Sequence, residues 1–163
     1  MLAGMMVEVV ANGGSVGFMA PLEIEEALSF WDDALAAADI GERLVLGAWD
    51  GELLVGTVTL GLKLPPNQPH RADISKTMTR PSHRKRGVAS SLMKEAERLA
   101  TERGRTLLVL DTATVEGASG LYENLGYVLV GEIPDFALTP DGRLTGTKVY
   151  WKRLHQKPVR FPA

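Results

Sequence analysis

Cysteine is missing from all 163 residues. That excludes disulfide staples, thiolate metal sites and a cysteine nucleophile, and it suits a reducing, cytoplasmic setting. Long apolar runs are missing too: Leu107 to Leu110 is among the longest, and it is far too short to cross a bilayer. No basic stretch ahead of a long apolar segment marks a targeting signal, so the expectation is a soluble, untargeted, cytoplasmic protein. Nor is there an excess of one charge, since 18 Lys and Arg face 20 Asp and Glu for a formal net charge of -2. The chain as a whole therefore attracts neither nucleic acid nor an anionic membrane, and any anion site has to be local. Repeats and linkers are also absent. The 45% apolar and 23% charged content is that of a folded globular chain. This length predicts one domain, taken as residues 1–154, with a C-terminal tail at 155–163.

The elements follow from periodicity and punctuation. Residues 2–11 are apolar almost throughout and leave helix and strand undecided before Gly13-Gly14. Pro21 suits a helix's first turn, and Ile24, Leu28, Trp31 and Leu35 recur at helical spacing up to Asp39. Two apolar runs, Arg43 to Trp49 and Glu52 to Leu62, flank Asp50-Gly51, a strong hairpin signal. The prolines at 65, 66 and 69 mark a loop, and Ala72 to Thr79 reads as the next strand. Val88, Leu92, Ala96 and Leu99 line one helical face between Gly87 and Arg103, stopped by Gly104. Thr106 to Leu110 then reads as a strand covered on both sides. Strand, helix, strand in that order implies a right-handed parallel crossover. Ala118, Leu121, Tyr122 and Leu125 mark a short helix ended by Gly126, with strands over Tyr127 to Val130 and Lys148 to Leu154 around the Asp141-Gly142 turn. The fold class is a mixed α/β domain, with Trp31, Trp49 and Trp151 expected in its core.

The chemistry-bearing segment runs from Pro81 to Ser91, between a strand and a helix. A helix start leaves backbone N–H groups unpaired and carries partial positive charge, which suits a phosphate. Gly87 lets a ligand approach the backbone, Ala89 keeps the first turn small, and Arg84, Lys85 and Arg86 add charge. The spacing is neither that of a P-loop nor that of the three-glycine dinucleotide fingerprint. Taken alone, a basic cluster ahead of a helix fits a solvated loop equally well.

The ordered set of Pro81, Arg84-x-x-Gly87-x-Ala89, a helix to Gly104, a strand to Asp111 and Ala118-x-x-Leu121-Tyr122-Glu123-x-x-Gly126-Tyr127 resembles the GNAT N-acetyltransferase superfamily. Gly14-Ser15-Val16-Gly17-Phe18-Met19, Arg71-Ala72-Asp73, Leu110-Asp111-Thr112 and Pro140-Asp141-Gly142-Arg143-Leu144 further resemble the tabtoxin-resistance branch, whose substrate is an amino-acid-like toxin. The resemblance implies a mostly antiparallel sheet with helices on both faces, splayed between its fourth and fifth strands to admit acetyl-CoA. Met78 and Thr79 would pair with the pantetheine arm, and Arg84, Lys85, Arg86, Gly87, Val88, Ala89 and Ser90 would hold the pyrophosphate. Two departures stand out. An asparagine common in members is replaced by Thr114-Val115-Glu116, and the usual first strand is missing, because only a helix-like segment precedes Gly13. The bare sheet edge left behind implies a start further upstream or cover by a second copy in a homodimer.

Acetyl transfer to an amine calls for a base, oxyanion support and a proton for the departing thiolate. Tyr122 matches the superfamily's general acid, and Asp111 and Asp73 are the carboxylates suited to the base. The implied reaction is direct attack by a small-molecule amine in a ternary complex, without an acyl-enzyme. A protein N-terminal or lysine acetyltransferase and a non-catalytic acyl-CoA-binding regulator are the alternatives. His70, His83 and His155 have no metal-ligand spacing and read as solvated, so no metal is expected.

Overall fold

The structure, a computed structural model, describes residues 1–114 and 119–155. Its elements are α1 (Leu2–Ala11), α2 (Ile24–Asp39), β1 (Arg43–Asp50), β2 (Leu53–Gly61), β3 (Arg71–Thr79), a 3-10 turn (Pro81–His83), α3 (Val88–Glu102), β4 (Leu107–Ala113), α4 (Ser119–Asn124), β5 (Val128–Leu138) and β6 (Leu144–Arg153). The strands form one open sheet in the order β1-β2-β3-β4-β6-β5. All neighbours are antiparallel except β3 and β4, which the α3 crossover makes parallel.

The ambiguous opening segment is the helix α1. Ala3, Met5, Met6, Val9 and Val10 are all buried in it, which accounts for its lack of polar alternation. The first element is thus not a strand, as the sequence indicated, and the two parallel neighbours are the third and fourth strands of this chain. With Leu22, Trp31, Leu54 and Met78, α1 and α2 build a core on one face of the sheet. On the other face, α3 and α4 pack Leu92, Met93, Ala96 and Tyr122 against Val58, Leu60, Leu108, Leu110 and Tyr150. No helix among the described residues is long and apolar enough to cross a membrane.

Four expectations need correction. Pro21 lies ahead of α2, after a cis Ala20–Pro21 bond, and the first turn of α2 carries Glu25 and Glu26, whose charges suit a helix start. Trp49 is exposed near the end of the outermost strand, so only Trp31 of the three tryptophans is fully buried. β5 runs on well past Val130 to Leu138 and carries Pro134, which an edge strand tolerates because its outer N–H groups need no ladder partner. Its register with β6 breaks between Ile133 and Ala137, where Asp135 adopts a φ of 52°. Finally, β6 begins at Leu144, not Lys148. The predicted helix residue Ala118 and the replaced-asparagine residues Val115 and Glu116 lie outside the described residues, as does the tail beyond His155.

Candidate functional site

β3 and β4 pair only over Arg71–Asp73 and Leu107–Val109. Beyond that they diverge, and a cleft of about 740 Å³ opens, lined by Ile74 to Thr79 on one side and Leu110 to Thr112 on the other. Crevices of this kind form at the carboxyl ends of strands in parallel sheet regions.

An extra residue in β3 decides what faces the cleft. Thr59 pairs with Ser75 and Thr57 with Met78, so three steps on β3 match two on β2. Lys76 sits in this bulge at a φ of 52°, in the left-handed region. Before it, Ala72 and Ile74 belong to the α3 core; after it, Met78 belongs to the α1 and α2 core. The bulge therefore inverts the facing of the strand. The Thr77 hydroxyl reaches Met93 Sδ of α3 at 3.8 Å. Lys76 turns the opposite way: its Nζ donates to the Val16 carbonyl at 2.6 Å and stands 5.5 Å from the Phe18 ring centre and 5.0 Å from that of Phe30. Burial, then repulsion by Arg43, lowers the Lys76 pKa, while Asp111 draws it up.

Tyr122 is buried in α4 beside Tyr127 and Tyr150 and lines the cleft. Thr77 lines the same cleft and acts on its hydroxyl. Burial pushes its pKa above that of an ordinary phenol; the polar Thr77 side chain opposes this, and Asp111 adds to it. Asp111 is an exposed residue of β4 that lines the cleft and accepts a hydrogen bond from Thr147 Oγ1 at 2.9 Å. Leu108 and Leu110 face the α3 core, so strand alternation turns Asp111 toward the α1 and α2 side. Tyr122 and Asp111 thus border one cleft from opposite faces of the sheet.

Asp73 is not brought to them. It lies where β3 and β4 are still paired, away from the cleft lining, in an ion pair with Arg71.

At the mouth of the cleft, Lys85 and Gly87 both have positive φ, 61° and 81°, and Gly87 caps the start of α3. An added Cβ at Gly87 would meet nothing within 4 Å, so the backbone there is open to a ligand. Arg84, Lys85, Gly87, Val88, Ala89 and Ser90 line the cleft, as do Met78 and Thr79. The Thr79 hydroxyl is buried without a partner among the described residues. Arg86 does not line it and instead stands 3.7 Å from Asp50. His83, expected to be solvated, also lines the cleft: its Nε2 lies 3.2 Å from Asp50 Oδ2 and its Nδ1 2.8 Å from Ser82 Oγ. Asp50 thereby ties the loop to the β1–β2 turn.

Sequence reasoning missed Lys76 and Thr77, because one extra residue in a strand leaves no periodic signature. It singled out Gly14 to Met19 only as a likeness, whereas Gly14 to Gly17 form part of the cleft wall. Two glycines with close backbone approaches were the available signal: a Cβ at Gly14 would fall 2.4 Å from Val9 Cγ1, and one at Gly17 would fall 3.3 Å from Lys76 Nζ.

An open α/β sheet splayed at its parallel pair, with a glycine-capped helix start at the cleft mouth, defines the class of this protein. The chain belongs to the acetyltransferase (GNAT) family, whose pattern matches residues 16–127. A 91-residue stretch is 33% identical to rat (Rattus norvegicus) N-acetyltransferase 8B, covering 53% of this chain and 41% of that protein, so the match spans well under half of the relative's length. An N-acetyltransferase of Staphylococcus aureus Mu50 superposes with a TM-score of 0.78 at 18% identity, over 94% of this chain and 90% of that one. An aminoglycoside 6'-N-acetyltransferase complexed with coenzyme A gives a TM-score of 0.73 at 16% identity, over 96% and 91% of the two chains. These two likenesses show the fold.

Proposed function

We propose that the protein is an acetyl-CoA-dependent N-acetyltransferase acting on a small-molecule amine by direct attack in a ternary complex. One observation carries this reading: Tyr122 and Asp111 border the same cleft from opposite faces of the sheet, with the Gly87 cradle at its mouth. The residues present fit the cofactor. Backbone N–H groups at the start of α3, with Arg84 and Lys85, suit a pyrophosphate, and the unpartnered Thr79 hydroxyl suits an amide-bearing arm. Bound acetyl-CoA supplies an acyl thioester, from which the products are an acetamide and the free coenzyme A thiol.

Asp111 orients the acceptor ammonium and takes its proton, directly or through water, leaving a neutral nitrogen to form the new C–N bond. Tyr122 delivers its proton to the sulfur as the C–S bond breaks, and the second proton, lost from nitrogen as the amide forms, restores the phenol. A raised phenol pKa keeps that proton in place at neutral pH. Among amines, the tabtoxin-resistance likeness favours an amino-acid-like toxin or antibiotic. The expected homodimer is part of the same proposal: β1 and β5 are the outermost strands, and sedimentation at two concentrations tests for it.

The test is thiol release from acetyl-CoA with purified protein and a panel of amines. Turnover of free amines supports the reading. Acetylation confined to peptide N-termini or protein lysines favours the protein-acetylating alternative. Tight coenzyme A binding without turnover of any amine favours the acyl-CoA-binding regulator.

A further inference from the structure

Lys76 is a charged group in the cleft that the proposed chemistry leaves unused. Its hydrogen bond goes to the Val16 carbonyl, which uses one of its three donors. Its aromatic neighbours Phe18 and Phe30 shield it from water, and Arg43 lies close enough to repel it. Gly17 leaves the space beside Nζ clear of any Cβ. The backbone of Lys76 adopts a left-handed φ that side-chain-bearing residues avoid, and such strain persists where the surroundings enforce it, often at sites of function. Among the described residues, the Val16 carbonyl is the one hydrogen-bond acceptor for this half-shielded ammonium, so two of its donors remain for an anion.

The bulge puts Lys76 on the same side of the sheet as Asp111, opposite Thr77 and Tyr122. The acceptor side of the cleft therefore presents one anion and one cation, close enough for Asp111 to influence Lys76. Building on the acetyltransferase reading above, we propose that Lys76 is a specificity residue for a carboxylate on the acceptor. The substrate class is then an amino acid whose amine is directed to Asp111 and whose carboxylate is directed to Lys76. A phosphate would call for a guanidinium fork or several converging donors; one ammonium with a committed donor matches a monoanion.

The experiment compares amino acids of increasing amine-to-carboxylate separation, each against its own carboxamide, by steady-state thiol release. Wild-type protein prefers the acid at one or more separations by at least about tenfold in kcat/KM, chiefly through KM. Lys76→Met abolishes that preference by weakening only the acids, and Lys76→Arg retains part of it. Coenzyme A affinity measured by calorimetry stays unchanged in both variants. Equal turnover of acids and carboxamides by wild type overturns the inference while leaving the acetyltransferase reading intact, and this comparison needs no variant to fold. A preference that survives Lys76→Met, or an equal loss on both substrate types, also overturns it, the latter marking Lys76 as a purely structural clamp on Val16. No turnover of any amine, with coenzyme A still bound, overturns the acetyltransferase reading, and this inference falls with it.

Discussion

Tyr122 of α4 and Thr77 of the bulged segment of β3 line one cleft, and Thr77 opposes the rise that burial gives the phenol's pKa. The Tyr122 ring centre lies 5.9 Å from that of Tyr127 and 5.8 Å from that of Tyr150, and this packing positions a polar group on a helix of only six residues.

Tyr122→Phe keeps the ring among Tyr127 and Tyr150 and removes only the proton donor. On the proposed mechanism, kcat falls by about 10²–10³-fold, in the range typical of a lost general acid, while coenzyme A affinity is unchanged. Steady-state kinetics alongside calorimetry separate the two effects, and an undiminished kcat removes Tyr122 from the reaction.

Alkaline stability follows from the raised phenols. Burial raises the pKa of both Tyr122 and Tyr127. Above the ordinary phenol value near ~10, the unfolded chain releases protons that the folded chain retains. Their contribution is fully present below that pH and is lost as pH climbs toward the folded-state values. Urea midpoints are expected to drop from about pH 8 to about pH 11, and ultraviolet titration should show Tyr122 and Tyr127 ionising late.

Gly87→Val forces a β-branched residue into the left-handed region at 81°. A penalty of about 1–2 kcal/mol, comparable to that of one left-handed residue, weakens coenzyme A binding by about tenfold, because the strain is relieved by turning the start of α3 away from the cleft. Calorimetric titration with coenzyme A reads this directly.

Gly56→Ala tests how α3 is seated. The new Cβ would stand 2.6 Å from Val88 Cγ1 and 3.0 Å from the Met78 carbonyl oxygen. Overpacking costs about 1–3 kcal/mol in stability and displaces the first residue of the helix that forms the cradle. Thermal unfolding and coenzyme A affinity are expected to decline together.

Lys152 Nζ donates to Glu97 Oε2 at 2.7 Å and to the Leu125 carbonyl at 2.6 Å, with both charged side chains largely shielded. Lys152→Met strands the Glu97 carboxylate and lowers stability by about 2–4 kcal/mol. Adding Glu97→Gln restores much of the loss. Urea unfolding of the two single variants and the double variant measures the coupling.

Much of this fold was legible because local chemistry and tertiary context agree. Asp50-Gly51 announces the β1–β2 hairpin, and Gly51 indeed has a φ of 59°. The Gly87 loop, the amphipathic α3 and the apolar β4 likewise carry their own signals. α1 was undecided because it is apolar nearly all round, and β5 was cut short because Pro134 breaks only strands with a neighbour on each side. At the site, Tyr122, Asp111 and most of the Gly87 loop line one cleft. Asp73 does not, since its two-residue spacing from Arg71 lets those side chains pair along the same strand. The facing of Lys76 was illegible for a different reason: a single inserted residue inverts everything after it, and only pairing with β2 reveals the insertion.

The interruption at Pro134 and Asp135 also bears on self-association. β5 carries exposed Val128, Leu129, Val130, Ile133, Phe136 and Leu138 along the rim of the sheet, a composition that invites stacking of identical chains. A proline that withholds a donor and a kink that throws the strand out of step confine any matched partner to a short stretch. Such a rim resists templating an endless ribbon.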